Sequence, residues 1–458
     1  MKSDNRCFLR RSALVVAIAG ISAPASAAFF QIAENSASGI GNAFAGGAAA
    51  AEDASTVWYN PAAMTRFKRP EFVFAGHFID PSFKATVNSA SAVTTVPISG
   101  GGGEAGQSAA VPNIYYTQPL GSSFSVGAGL NAPFGLATEY NSTWAGRYHA
   151  LRSDIKTVNL NLAGAYKISD TLSAGAGVNY QMLDAELGQA VDFATLCTVA
   201  AGGAFSAACG AGATFNPNTN PNDGKAKVTA DSTAVGYNLG LMAQVQDNFR
   251  VGVAYRSKMK HSLSGNFDIT TPANVPGALT AATGLVNSGA KADVVLPATL
   301  SFSAYLQLDG QWALMTDITR TNWSALPELR IKFDSGQADS VVTLNLIDTY
   351  RFSVGATYKA NNSWVFRGGI AQDQSPTTSA ADRTPRLPDS DRTWYTVGAG
   401  LQATPALSFD FGYAYIKLDS SSVNKTAAPG TENFLRGNLN ASYTGTVQVL
   451  SAQARWVF

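Results

Sequence analysis

The chain has 458 residues, a formal net charge of +1 and only 14% charged side chains. Near-neutral charge argues against nucleic acid as a partner. The length allows two or three soluble domains, but the low charge and the wealth of Gly, Ala, Phe and Tyr fit a membrane-exposed surface better.

Residues 1–27 read as a secretory signal. Lys2, Arg6, Arg10 and Arg11 form its basic end, Ala13 to Ile21 its apolar core, and Ala25-Ser26-Ala27 a small-residue cleavage site. The mature chain is expected to start at Ala28. The apolar core is too short to cross a bilayer as a helix, and no later apolar run is long enough. A membrane protein without spanning helices must close its strands into a barrel, because lipid satisfies no open backbone group.

Residues 28–69 show neither strand alternation nor a long amphipathic helix. Small residues dominate, and the stretch ends in Asn60-Pro61-Ala62, where Pro61 pushes Asn60 toward extended backbone. Phe29, Phe30, Ile32, Phe44 and Trp58 make it too apolar for a solvated tail. A compact, non-strand segment ahead of a β array predicts a plug, since wide barrels can hold one. Phe29, Phe30, Ile32 and Trp58 are its candidate ligand-binding residues.

From about residue 70 to 458 the pattern alternates. Val158, Leu160, Leu162 and Tyr166 oppose Thr157, Asn159, Asn161 and Lys167. Phe249, Val251, Val253 and Tyr255 oppose Arg250, Gly252, Ala254 and Arg256. The apolar sets end in aromatics, as the girdles of transmembrane barrels do. Short turns fall near Gly121, Ser169, Asp247, Gly310, Asn361 and Pro405. Long connections are expected at about 81–110, 132–151, 188–230, 266–292, 324–344, 375–391 and 419–439. Six short turns and seven long loops require 6 + 7 + 1 = 14 strands: an all-β, 14-stranded antiparallel transmembrane barrel with an N-terminal plug. An even count returns both termini to the periplasm.

One strand is irregular. It begins Phe124-Ser-Val-Gly-Ala-Gly-Leu130 and reaches Asn131, Ala132, Pro133, Phe134 and Gly135. Pro133 lacks a ladder donor and Gly135 permits a bend, so either the strand ends or it kinks inward. Cys197 and Cys209 are the two cysteines behind the leader and predict one disulfide in an oxidising compartment. The sequence carries no Gly-x-Ser-x-Gly elbow, no His-Glu-x-x-His and no phosphate loop, and neither a cofactor nor a metal is expected. His77, His149 and His261 are scattered, and each reads as a solvated or hydrogen-bonded side chain. Gly175 and Gly177 lie mid-strand with their faces inward and read as space for the plug. Leu450, Ala452, Ala454, Trp456 and Phe458 form one face of the last strand. The final Phe with Trp two before it resembles the C-terminal signal of outer-membrane barrels.

Phe30-Gln31, Ser36–Gly41, Ala50–Ala54, Asn60-Pro61-Ala62, Gly135–Tyr140, Asn159–Tyr166, Tyr255-Arg256-Ser257, Tyr350 through Trp364 to Pro376 and Pro388–Arg392 follow one another along the chain. In this order they resemble the FadL family of outer-membrane transporters, which includes the TodX branch. The resemblance implies passive uptake of long-chain fatty acids or aromatic hydrocarbons, a hatch inside the lumen, the same strand count, and lateral exit into outer-membrane lipid at a kink spanning Asn131–Gly135. The family has Tyr where this chain has Pro133. It also implies a basic lumen residue for the carboxylate, yet the fifth strand has Leu187-Gly188-Gln189 there; Arg256, Arg351 and Lys359 are lumen-facing alternatives. The kink's free backbone is expected to find the Asn60 amide. The chain is expected to act as a monomer in the outer membrane. A general aqueous porin and an outer-membrane lipid-modifying enzyme are the competing readings.

Overall fold

A computed structural model describes residues 29–200, 223–273 and 275–458. The expected leader and Cys209 lie outside them. Among the described residues, fourteen antiparallel strands form the wall. They are β1 (Glu71–Ser91), β2 (Ala109–Leu120), β3 in two pieces (Phe124–Asn131 and Gly135–Glu139), β4 (Arg152–Lys167), β5 (Leu172–Asp192) and β6 (Asp223–Gln246). β7 (Phe249–Arg256 and Met259–Thr270) and β8 (Ser288–Leu296 and Thr299–Gln307) are also divided. β9 (Trp312–Thr321), β10 (Thr349–Lys359), β11 (Trp364–Asp373), β12 (Arg392–Gln402), β13 (Leu407–Leu418) and β14 (Asn438–Val457) complete the ring. β14 closes onto β1, from Glu71↔Val457 to Ser91↔Asn438.

The period-two pattern decides which face is which. Leu160, Leu162, Val178, Tyr180, Leu239 and Leu241 are exposed, while Asn159, Asn161, Asn179, Gln181 and Asn238 are buried. Apolar outside and polar inside is the inverse of a soluble fold and fits a wall in lipid. Aromatic pairs sit near the short turns, with Phe124–Tyr166 at 4.7 Å and Trp312–Tyr358 at 4.6 Å.

The expected long connections are shorter than the sequence pattern indicates. β1 runs through Pro81 to Ser91, and β5 pairs with β6 as far as Asp192↔Asp223. The region 324–344 holds two further strand segments, Glu328–Phe333 and Ser340–Thr343. Above the lipid band the outward face turns polar, as at Asp184, Lys225 and Lys227. The ladder continues there while the apolar alternation that reveals it stops.

Residues 31–66 lie against the inner face of the wall. They form Ala37–Gly41, Thr56–Tyr59 and a 3-10 turn, Pro61–Arg66, which Asn60 caps through its side chain at Ala62 N. Arg351 donates to Ala43 O (2.8 Å), Ser303 Oγ accepts from Ala48 N (2.9 Å), and Arg250 donates to Ala49 O (2.5 Å). The approach is close. A Cβ at Gly252 would lie 1.9 Å from Ala48 O, and one at Gly175 would lie 2.5 Å from Ala62 N.

Candidate functional site

The site begins where β3 breaks. Its ladder to β2 ends at Ile114↔Leu130. Its ladder to β4 reaches Asn131↔Asn159 and resumes at Gly135↔Lys156. Ala109–Asn113 of β2 pair with β1 and have no ladder partner on β3. The wall rejoins at the Gly106↔Thr138 bridge. Unpaired peptide groups cost several kcal/mol in lipid, so the broken backbone must find partners inside. Ile32 N donates to Pro133 O (2.8 Å), Gly135 N donates to Phe30 O (3.0 Å), and Gln31 bridges Phe134. Thr157 Oγ1 accepts from Phe134 N (2.9 Å) and donates to Phe134 O (2.7 Å). Asn131 Nδ2 donates to Asn35 Oδ1 (2.8 Å).

Asn60 is not the kink's partner. Its Oδ1 accepts from Ala62 N, and its Nδ2 donates to Ala48 O (2.6 Å) and Leu241 O (3.0 Å). The amide is used up tying the Asn60-Pro61-Ala62 turn to β6. The kink is served instead by main chain from residues 30–32.

Beside the kink lies an apolar cluster. Phe29 and Phe30 face each other at 5.2 Å, Trp323 lies 5.2 Å from both, and Phe134 is 5.8 Å from Phe30. Leu183, Met259 and Leu263 join from the wall, and Leu326, Leu344 and Leu387 from the outer segments. A cavity of about 50 Å³ opens against Phe30, lined by Ile155, Leu187, Val228 and Ile331 among others. Phe29 is held through both its backbone N–H and its backbone carbonyl. Its N–H donates to Asp389 Oδ1 (3.3 Å), its carbonyl accepts from Arg392 (2.9 Å), and Arg392 pairs with Asp389 at 2.6 Å. Its φ of +74° is strained for a residue with a Cβ, and those outer contacts hold it there.

The four aromatic and aliphatic candidates therefore separate. Phe29 and Phe30 come together. Ile32 lies at the kink, where a Cβ on Gly135 would sit 2.8 Å from its Cδ1. Trp58 lies elsewhere. The Arg256 guanidinium stacks 3.2 Å over its ring and donates to its carbonyl (2.5 Å). Trp58 lines a second cavity of about 120 Å³ together with Asp317, Thr319, Arg351 and Asp373.

Of the alternative basic residues, Arg256 and Arg351 donate to carbonyls of the N-terminal segment, and Lys359 is exposed beside a short turn. A cation that the sequence reading passed over lies at Leu187-Gly188-Gln189. Arg386, from the segment between β11 and β12, donates to Gly188 O (3.2 Å), Gln189 Oε1 (2.7 Å), Arg152 O (3.3 Å) and Ser153 Oγ (3.4 Å). It is buried, and among the described residues no carboxylate lies within ion-pair distance of it. Burial, with Arg436 nearby, pulls its pKa down to about 9. Trp323 was also missed; it stands at the edge of the connection expected at 324–344, with Leu326 inside it.

The remaining candidates are placed as follows. His77 Nδ1 lies 2.7 Å from Ser451 Oγ, and His261 Nε2 lies 3.1 Å from Gln181 Oε1. His149 is buried and hydrogen-bonds to the Gly437 backbone, the second of the two expected alternatives. Cys197 is buried in the helix Phe193–Val199 and is disulfide-bonded.

A protein-family model described as "Outer membrane protein transport protein (OMPP1/FadL/TodX)" matches residues 18–458. The chain belongs to this family. It shares 32% identity with outer membrane protein P1 of Haemophilus influenzae, over 97% of this chain and 96% of that protein. Identity is also 32% with the long-chain fatty acid transport protein of Escherichia coli, covering 92% and 95%. A crystal structure of a Pseudomonas aeruginosa FadL homologue superposes with a TM-score of 0.85 at 25% identity, covering 94% and 99%. The toluene transporter TodX of P. putida, at 15% identity and a TM-score of 0.65, shares the fold over 90% of this chain and 95% of its own. This FadL/TodX-family protein is an outer-membrane transport barrel and not an enzyme. Its short turns face the periplasm and its long segments the exterior.

Proposed function

We propose that this chain carries long-chain fatty acids or aromatic hydrocarbons passively inward and releases them sideways into outer-membrane lipid at the β3 kink. Residues 28–69 act as the plug, and the protein works as a monomer. The observation that carries this reading is the broken wall at Asn131–Gly135, whose backbone is satisfied by residues 30–32 next to the Phe29–Phe30–Trp323 cluster. An apolar molecule gains nothing from an aqueous pore; it gains a dry pocket beside a gap that leads to lipid. The names of the relatives, a fatty acid transporter in E. coli and a toluene transporter in P. putida, bracket the substrate class. The buried, acid-free Arg386 favours a carboxylate-bearing substrate. The segment 31–66 against the inner wall speaks against a general aqueous porin.

Uptake of labelled oleate and labelled toluene by cells expressing a Pro133→Val/Gly135→Thr double variant tests the proposal. Uptake falls sharply while heat-modifiable gel mobility, the mark of an intact barrel, persists. Normal uptake by an assembled double variant overturns lateral release at β3.

A further inference from the structure

The wall breaks a second time, between β6 and β7. These strands pair from Lys225↔Thr270 to Asp231↔Ser264, and again from Asn238↔Arg256 to Gln246↔Phe249. Residues 232–237 and 257–263 face each other between these ladders with no register of their own. Their outer neighbours are intact. β6 stays paired to β5 through Met182↔Thr233 and Tyr180↔Val235, and β7 stays paired to β8 from Met259↔Leu296 to Leu263↔Ala292. The break is thus a seam between two continuous sheets. At its lower end Ser257 stands in for the ladder: its N–H donates to Tyr237 O (2.9 Å), and its Oγ accepts from Tyr237 N (2.9 Å).

The inner side of the seam carries Ala234, Met259 and Leu263 together with the buried His261, which pairs with Gln181 (3.1 Å), and its outer side carries Lys258 and Lys260 beside the acids Asp231 and Asp293. The three apolar residues belong to the cluster that contains Phe30 and Trp323. Met259 fills the seam: a Cβ at Gly236 would lie 2.8 Å from its Cε. Methionine is unbranched and flexible, so it fills such a space without locking it. Outside, Val235 is 67% exposed, and Lys258 and Lys260 are exposed on the neighbouring strand. Lys258 has no ion pair among the described residues, and Lys260 has one loose partner, Asp293 at 3.4 Å. Outward residues turn from Val235 and Tyr237 to Asp231 and Lys227 along β6, so the seam lies where the lipid face gives way to charge.

We propose that this seam is a second lateral port, through which single-chain anionic amphiphiles pass from the outer leaflet into the apolar cluster. Lys258 and Lys260 hold the carboxylate head at the interface, and Met259 is the gate that swings clear of Gly236 to admit the tail. The inference rests on the transport reading above and adds a route between β6 and β7, separate from the kink in β3.

A Thr233→Cys/Ser262→Cys pair, outward-facing on the two sides of the seam, staples it shut on oxidation. Oleate is supplied in vesicles to proteoliposomes, and initial uptake is compared before and after dithiothreitol, with the unsubstituted protein as control. The oxidised staple slows oleate uptake about threefold, and reduction restores it. Met259→Trp, which overfills the seam without a crosslink, slows it similarly. Lys258→Glu/Lys260→Glu raises the half-saturating oleate concentration about threefold and leaves toluene uptake unchanged. Normal oleate uptake in both the stapled protein and Met259→Trp overturns the port, as does an equal effect of the charge reversal on toluene. The Pro133→Val/Gly135→Thr variant runs in parallel. Its loss of uptake beside normal uptake in the seam variants refutes the second port alone, whereas normal uptake in the kink variant refutes exit at β3.

Discussion

The backbone amide of Ile32 donates to the carbonyl of Pro133 at 2.8 Å, so the N-terminal segment supplies a main-chain partner where the β3 ladder is interrupted. Ile32→Pro deletes that donor and leaves a buried carbonyl unpaired, at a cost of about 1–3 kcal/mol. The wall ladders do not depend on it. The expected outcome is a barrel that still migrates as a heat-modifiable band but conducts small ions more readily in planar bilayers. Unchanged conductance would show that this contact does not hold residues 31–66 in the lumen.

Phe30 is the central ring of the apolar cluster, within 5.8 Å of Phe29, Phe134 and Trp323. Phe30→Ala removes apolar contact worth about 1.5 kcal/mol or more to a ligand, roughly tenfold in affinity. Titration of purified protein with a fluorescent fatty acid measures it. Trp58→Ala should leave that affinity near the starting value, because Trp58 packs under Arg256 and outside the cluster.

Cys197 is disulfide-bonded, and the sequence offers Cys209 as its partner in the mature chain. A loop of about a dozen residues closed this way gains up to roughly 3 kcal/mol. Unreduced tryptic peptides should contain the two cysteines linked. Cys209→Ser should free the Cys197 thiol and speed proteolysis around Phe193–Val199 without changing the barrel's gel mobility.

The wall was legible because lipid and lumen impose period two, as in Leu160-Asn161-Leu162 against Asn159. The break at Pro133 was legible because proline cannot donate. The partner of the break was not. It is main chain at residues 30–32, which leaves no mark in side-chain identity, whereas Asn60 advertised an amide already committed to Ala48, Ala62 and Leu241. Trp323 and Arg386 escaped because their neighbours, Phe29 and Gln189, are some two to three hundred residues away in sequence. The upper halves of β5 and β6 escaped because their outward face stands clear of lipid and loses its apolar alternation.

His149 gives the outer segments a pH dependence. Burial, reinforced by the cations Arg436, Lys425 and Arg386, pulls its pKa down to about 3 from an ordinary 6.5. The unfolded chain takes up a proton as pH falls through about 6.5, while the folded chain resists until about 3. Stability from this group is therefore full above pH 6.5 and falls by up to ~1.4 kcal/mol for each unit below it. His149→Gln should flatten the acid sensitivity of limited proteolysis in the 140–151 segment. An unchanged pH profile would exclude this histidine as the cause.

Arg386 separates the two substrate classes. Its guanidinium is buried against four neutral oxygens, from Gly188, Gln189, Arg152 and Ser153, with no acid in ion-pair range among the described residues. Burying a charge without a counter-charge is costly, and the depressed pKa reports that cost. A fatty-acid carboxylate arriving beside Leu387 and Phe29 would supply the missing charge; toluene would not. Arg386→Met keeps an unbranched apolar stem and removes the cation. Charge-assisted hydrogen bonds are worth about 1.5–3 kcal/mol, so oleate affinity should fall by roughly ten- to a hundredfold. Toluene uptake should hold, or rise as the costly charge is lost. Equal loss for both molecules would assign Arg386 to holding the segment between β11 and β12 against β5, and would leave the cluster a binder of neutral hydrocarbon.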